Sequence, residues 1–225
     1  MVRTRIVSGK RALVVATLLS AGMLGCVPQT SIPPVGKFRN TEEAKSQLSG
    51  VTLIGANFAG TDLKGRDLSG SVFHNANFRC ADLRGADLQR SQFQGAIFEG
   101  ADLRSANLMR AVLQGADLRG ARLGPAGPDK DPANLQYAIL RRAMFEEADL
   151  TGVRMEGAKV EGANFRRANL TGTNLTGLDL STAILDGARL DRARYDDETR
   201  FPPRFNPVAN GMVKIALSPS ETARR

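Results

Sequence analysis

The side chains able to do chemistry in this chain are few, and their spacing is regular. Asp62, Asp82 and Asp102 recur at intervals of 20 residues, with Lys64, Arg84 and Arg104 beside them at the same interval. A column of carboxylates could hold a metal ion, but the adjacent cations compete for the same oxygens. A solvated, self-neutralising surface is the plainer reading, since exposed ion pairs contribute only ~0–1 kcal/mol each. The cations also make a candidate basic docking strip: Lys64, Arg84 and Arg104, joined by Arg90 and Arg110. The single histidine, His74, has no nucleophile or base arranged around it. The glycines are periodic and do not form a phosphate loop between a strand and a helix. The expectation is a protein that is not an enzyme, with no catalytic, cofactor or metal site.

The two cysteines, Cys26 and Cys80, stand apart from this pattern. Cys26 closes an amino-terminal segment that reads as a secretory signal over residues 1–25. Arg3, Arg5, Lys10 and Arg11 form a positive start, and residues 12–20 (ALVVATLLS) a mostly apolar middle. The uncharged run from Ala12 to Val27 is 16 residues, short of the ~20 that span a bilayer. The sequence Gly25-Cys26 resembles the end of a bacterial lipobox, although Met23 and Leu24 stand where leucine and a small residue are usual. That resemblance implies lipidation of Cys26 and an exported, membrane-anchored protein. Val27 is not an aspartate-type inner-membrane retention signal, which directs the expectation to the outer membrane of a two-membrane cell. An uncleaved anchor and ordinary secretion are the alternatives. Residues 26–40, rich in proline and polar side chains, read as a tether. Cys80 is expected to be incidental and to form no intramolecular disulfide once Cys26 is acylated.

What positions these residues is a beat of five. Large apolar residues fall at Leu53, Phe58, Leu63, Leu68, Phe73 and onward without a gap to Leu123, then resume from Leu135 to Tyr195. Two residues before most of them comes a small one, such as Ala56, Ala76, Ala81 or Ala86; one before, Asp or Asn; two after, glycine. A period of five belongs to neither a helix nor an ordinary strand, so it marks a repeat architecture. The blocks GANFA GTDLK GRDLS, CADLR GADLQ and GANFR RANLT resemble the pentapeptide-repeat family. The resemblance covers residues 51–195 and implies an all-β solenoid, a right-handed quadrilateral β-helix with four pentapeptides per square coil. The 28 large residues then make about seven coils, a rod roughly 34 Å long at the ~4.8 Å strand spacing. Residues 20 apart stack: Phe58, Phe78 and Phe98 in one column, Leu63, Leu83, Leu103 and Leu123 in another. The Asp or Asn before each large residue is expected to bond backbone groups at the turns.

Composition agrees with a narrow core. Aromatic residues are 5% of the 225 and tryptophan is absent, whereas a globular core of this size uses larger side chains. The formal charge of +8 points first to anionic partners, but residues 51–195 hold 19 basic and 17 acidic residues. No lysine-rich tract interleaved with aromatics appears, so no nucleic-acid partner is expected.

Solenoid ends expose core and strand edges, so both are expected to be capped. Residues 41–50 read as a short helix with Thr41 as N-cap. Residues 196–225 place Phe201, Phe205, Val208 and Met212 among prolines, as a lid and then a disordered tail. The 12-residue step from Leu123 to Leu135 contains three prolines and requires a loop over residues 124–134 at a corner of the coil. The expected function is a non-enzymatic, envelope-tethered structural or protein-interaction rod, with a membrane contact through the lipid anchor and an unidentified protein or cell-envelope partner. The alternative, a role of some family members, is a cytoplasmic DNA mimic that binds topoisomerase; it calls for an acidic rod.

Overall fold

The computed structural model describes residues 48–127 and 130–216. The predicted signal, tether, Cys26, most of the amino-terminal helix and the end of the tail lie outside the described residues. Leu48, Ser49 and Gly50 form a turn, and Leu48 packs half-buried against the core.

The backbone winds so that each residue before a large centre pairs in parallel with its counterpart one coil on: Thr52 with Val72, Asn57 with Asn77, Asp62 with Asp82, Asp67 with Asp87. On each side of the coil two bonds fix the register. Leu63 N–H donates to the Asp82 carbonyl (2.8 Å), and Asp82 N–H donates to the Thr61 carbonyl (2.9 Å). A single bridge is flanked by a turn, as where Ala86 N–H reaches back to the Leu83 carbonyl (3.0 Å). Each side is therefore too short to count as an extended strand. The only two-residue strands among the described residues are β1, Arg194–Tyr195, and β2, Val213–Lys214, paired in parallel at the carboxyl end.

Four columns of centres fill the interior, and they name the four sides of the rod. Leu63, Leu83, Leu103 and Leu123 have no exposed surface; nor do Leu68, Leu88 and Leu108, or the phenylalanines 73, 78, 93 and 98. Like lies on like. Phe58 and Phe78 stack at 4.9 Å between centroids, as do Phe78 and Phe98, while Phe73 meets Phe78 edge-on at 5.4 Å. Stacked and edge-to-face pairs at these distances each add ~0.5–1.5 kcal/mol beyond simple burial. Alanine fills most of the slots two before a centre, and Val153 and Leu178 take the same slot fully buried.

Hydroxyls in the slot are bonded to backbone carbonyls: Thr61 Oγ1 donates to Phe58 within its own coil (2.7 Å), and three others reach the coil before. Ser71 Oγ donates to the Leu48 carbonyl (2.6 Å), Ser91 Oγ to that of Leu68 (2.7 Å), and Thr173 Oγ1 to that of Leu150 (2.8 Å). This keeps each buried oxygen paired, as a dry core requires.

The loop after Leu123 changes the pairing offset without breaking it. Asn107 pairs with Asn134 and Asp117 with Met144, 27 residues apart in place of 20. Ala133 N–H closes the base onto the Leu123 carbonyl (2.8 Å). Ser105 Oγ and Arg154 hold the loop to the rod through Asp131, at 2.7 and 3.2 Å. At the carboxyl end Phe201 meets Tyr195 edge-on at 5.5 Å and stacks on Phe205 at 5.1 Å. Met212 is buried and both phenylalanines pack against the core.

Candidate functional site

With the interior filled by Leu, Phe and Ala, chemistry is confined to the outer positions flanking each centre and to the corners. On the Leu63 side the aspartates do the turn work expected of them: Asp62, Asp82 and Asp102 accept from the N–H two residues on, at 3.0, 3.2 and 3.3 Å. The same carboxylates hold the cations. Arg84 Nε donates to Asp82 at 2.8 Å, Arg104 Nε to Asp102 at 2.8 Å, and Arg122 approaches Asp102 at 3.0 Å. Arg84 also lies 3.8 Å from Asp102. The Arg84 hydrogen bonds hold the Asp82 carboxyl below its usual range. Burial pushes Asp102 up, but Arg104, the turn N–H and Arg122 outweigh it and leave it lowered. Around these groups is an open depression of about 280 Å³, lined by Cys80, Asp82, Arg84, Asp102, Arg104 and Arg122.

The five cations of the candidate strip are therefore not one surface. Lys64, Arg84 and Arg104 lie on the Leu63 side, and the last two are committed to aspartates. Arg90 and Arg110 stand one side further round, at the corner between the Leu68 and Phe73 sides. There each takes a left-handed backbone, with φ of 56° and 60°. Position within the pentapeptide separates the two groups: Lys64, Arg84 and Arg104 come one residue after a centre, Arg90 and Arg110 two after.

The Phe58 side carries a second ladder. Arg79, Glu99 and Arg119 alternate in sign, with contacts of 3.0 and 4.0 Å, and further on Arg166 meets Asp186 at 3.4 Å. At the neighbouring corner Arg167 pairs with Glu147 at 3.5 Å. Asp117 is lowered in the same way as Asp102: burial raises it, and the Arg119 hydrogen bonds prevail.

His74 lies on the Phe73 side, where its Nε2 is 3.1 Å from Gln92 Oε1. Cys80 occupies a corner with φ of 55°, beside Asp82 and Arg104 at the rim of the depression on the Leu63 side. Two further features had little sequence signal. Arg66 stands in a slot normally given to alanine. Tyr137, 56% exposed, takes a corner position with the Arg110 guanidinium 5.9 Å from its ring centroid.

Among the described residues no helix is long and apolar enough to cross a membrane, and no group of His, Cys, Asp or Glu is placed to hold a metal ion.

The profile of pentapeptide repeats in eight copies matches residues 46–85, 56–93, 86–124, 133–167 and 163–194, more than half of the chain. No curated protein matches it. Among solved structures the chain is similar to alr5209, a pentapeptide repeat protein from Nostoc PCC 7120, at 29% identity over 53% of this chain and 84% of that one, with a TM-score of 0.35. HetL, a pentapeptide repeat protein involved in heterocyst differentiation regulation in the same cyanobacterium, is 25% identical over 67% of this chain and 85% of its own, with a TM-score of 0.31. A trypsin-treated R167E form of QnrB1, a plasmid-mediated fluoroquinolone resistance protein, is 22% identical over 78% and 86%, with a TM-score of 0.40. The chain belongs to the pentapeptide-repeat family, and its four columns of centres with parallel bridges from coil to coil make a quadrilateral β-helix.

Proposed function

We propose that this pentapeptide-repeat protein is a non-enzymatic rod of about seven coils, closed at its carboxyl end by residues 196–216, that is tethered to the cell envelope and binds partners through its flat sides. The observation that carries the reading is the filled interior. Phe73, Phe78, Leu83 and Leu88 have no exposed surface, and on the Leu63 and Phe58 sides the charged groups are held in ion-pair ladders and turns. An active site needs convergent groups in a water-excluding cleft, whereas regular flat sides suit recognition. The leader and Cys26 supply the tether, which anchors stably when more than one acyl chain is attached.

The test is mass spectrometry of the mature chain, expressed with its own amino terminus in a diderm bacterium and fractionated. A membrane-bound chain beginning at acylated Cys26 supports the tethered rod. A soluble chain beginning near Met1, or an exported chain with Cys26 and Cys80 joined in a disulfide, overturns the lipid anchor. The first of these results also returns weight to a cytoplasmic role.

A further inference from the structure

The Phe73 side differs from the ladders on the Leu63 and Phe58 sides. Its outer positions from the second to the fourth coil are Val72, His74, Gln92, Gln94, Val112 and Gln114, without one charge. Along one edge of this neutral floor stand Arg90 and Arg110, exposed and one coil apart, so their backbones are ~4.8 Å from each other. Neither has a carboxylate partner among the described residues; Arg110 has only the Tyr137 ring, at 5.9 Å. Two like charges in successive coils repel, and each non-glycine residue in a left-handed backbone costs of order 1 kcal/mol. In the same corner column the chain uses glycine at Gly70 and Gly157. The arginines stand where stability alone favours glycine.

The floor offers hydrogen bonds but no backbone. Phe73 N–H is given to Gln92 (2.7 Å) and Gln92 N–H to Ser71 (2.8 Å), so a peptide strand cannot add to this side as it does to an open sheet edge. What remains is a row of side-chain amides and an imidazole, and Gln94 Oε1 is buried without a donor. The exposed amides of Gln92 and Gln114 suit a hydroxyl-rich ligand. Single-stranded nucleic acid would need open aromatic faces for its bases, and the Tyr137 ring lies between Arg110 and Gly157. Guanidinium groups match carboxylates in two-point contacts.

We infer that the Phe73 side binds a carboxylated polysaccharide, with sugar hydroxyls on Gln92 and Gln114 and carboxylates on Arg90 and Arg110. The inference rests on the reading of the protein as an envelope interaction rod, but the binding requires the folded rod and not the anchor, so each can fail without the other.

The experiment is calorimetric titration of the full-length protein with polygalacturonate, alongside neutral dextran, polyglutamate and duplex DNA. The decisive variant is Arg90→Gly with Arg110→Gly, which installs the residue the corner prefers; Arg90→Gln with Arg110→Gln provides a second, milder change. Polygalacturonate is expected to bind and dextran not to. Both double variants should lose at least tenfold in affinity, and Arg166→Gln on the Phe58 side should lose none. Unchanged affinity in the folded double variants overturns the inference. So does binding of polyglutamate or duplex DNA as tight as that of polygalacturonate, which would make the surface a general polyanion or acidic-protein site.

Discussion

The Tyr137 ring packs against Gly157 so closely that a Cβ added there would lie 2.5 Å from the ring Cδ1 and 2.7 Å from Cε1. One exposed aromatic thus depends on the absence of a single methyl group in the next coil. Gly157 also has φ of 69°, so Gly157→Ala combines backbone strain with displacement of the ring. The expected loss is about 1–3 kcal/mol by denaturant titration. In a Tyr137→Ala background the ring contribution vanishes and only the backbone part remains, which a double-mutant cycle resolves.

Phe78 lies between Phe58 and Phe98 at 4.9 Å on either side, and touches the second column through Phe73 and Phe93 at 5.4 and 5.8 Å. Phe78→Ala is expected to cost about 3–5 kcal/mol, because a filled ladder cannot collapse around the gap. Phe78→Leu keeps most of the volume, and leucine already fills the same column at Leu118, so its cost should stay within ~1.5 kcal/mol. Chemical denaturation of the two variants distinguishes a packed ladder from a loosely filled tube.

Acid should unfold the rod in a defined direction. Asp82, Asp102, Asp117 and Asp196 all have carboxyls held below the usual range. For the buried Asp196 the opposing burial is outweighed by N–H groups of Gly177, Thr199 and Glu198 and by the Thr199 hydroxyl. A carboxyl lowered in the folded state binds fewer protons there than in the unfolded chain. Its contribution is present above the unfolded value near pH ~4 and is lost as pH falls through the lower folded value. Thermal unfolding followed from pH 7 to pH 2 should therefore show a midpoint that is flat to about pH 5 and falls below it. In Asp102→Asn the drop should be shallower, from a lower starting midpoint.

The beat of five contained almost the whole fold, since each centre from Leu53 to Tyr195 marks a side and each step of 20 a neighbour. Phe58 over Phe78 and Leu63 over Leu83 follow from that count alone. The surface was less legible. Lys64, Arg84, Arg104, Arg90 and Arg110 share one charge and one stretch of chain, yet the first three point from a side and the last two from a corner. Charge counting alone misses that difference, whereas the pairing of Arg84 and Arg104 with Asp82 and Asp102 is the self-neutralising surface that the spacing of 20 pointed to.

The loop after Leu123 supplies the last prediction, because simply cutting it out should fail. Removing residues 125–131 restores the five-residue step but leaves Pro132 at the corner, two after Leu123. Corners elsewhere in the rod have φ near +60°, as at Gly120 (61°) and Arg142 (55°), whereas the proline ring fixes φ near −65°. The deletion alone should therefore cost several kcal/mol or prevent folding. The same deletion with Pro132→Gly meets the corner requirement. It gives up the Asp131 contacts with Ser105 and Arg154, of which the exposed ion pair contributes ~0–1 kcal/mol, and gains a shorter connection. Its thermal midpoint should match or exceed that of the parent chain. Equal destabilisation of the two deletions would mean that the loop is structurally required, and would remove its standing as an insertion the coil merely accommodates.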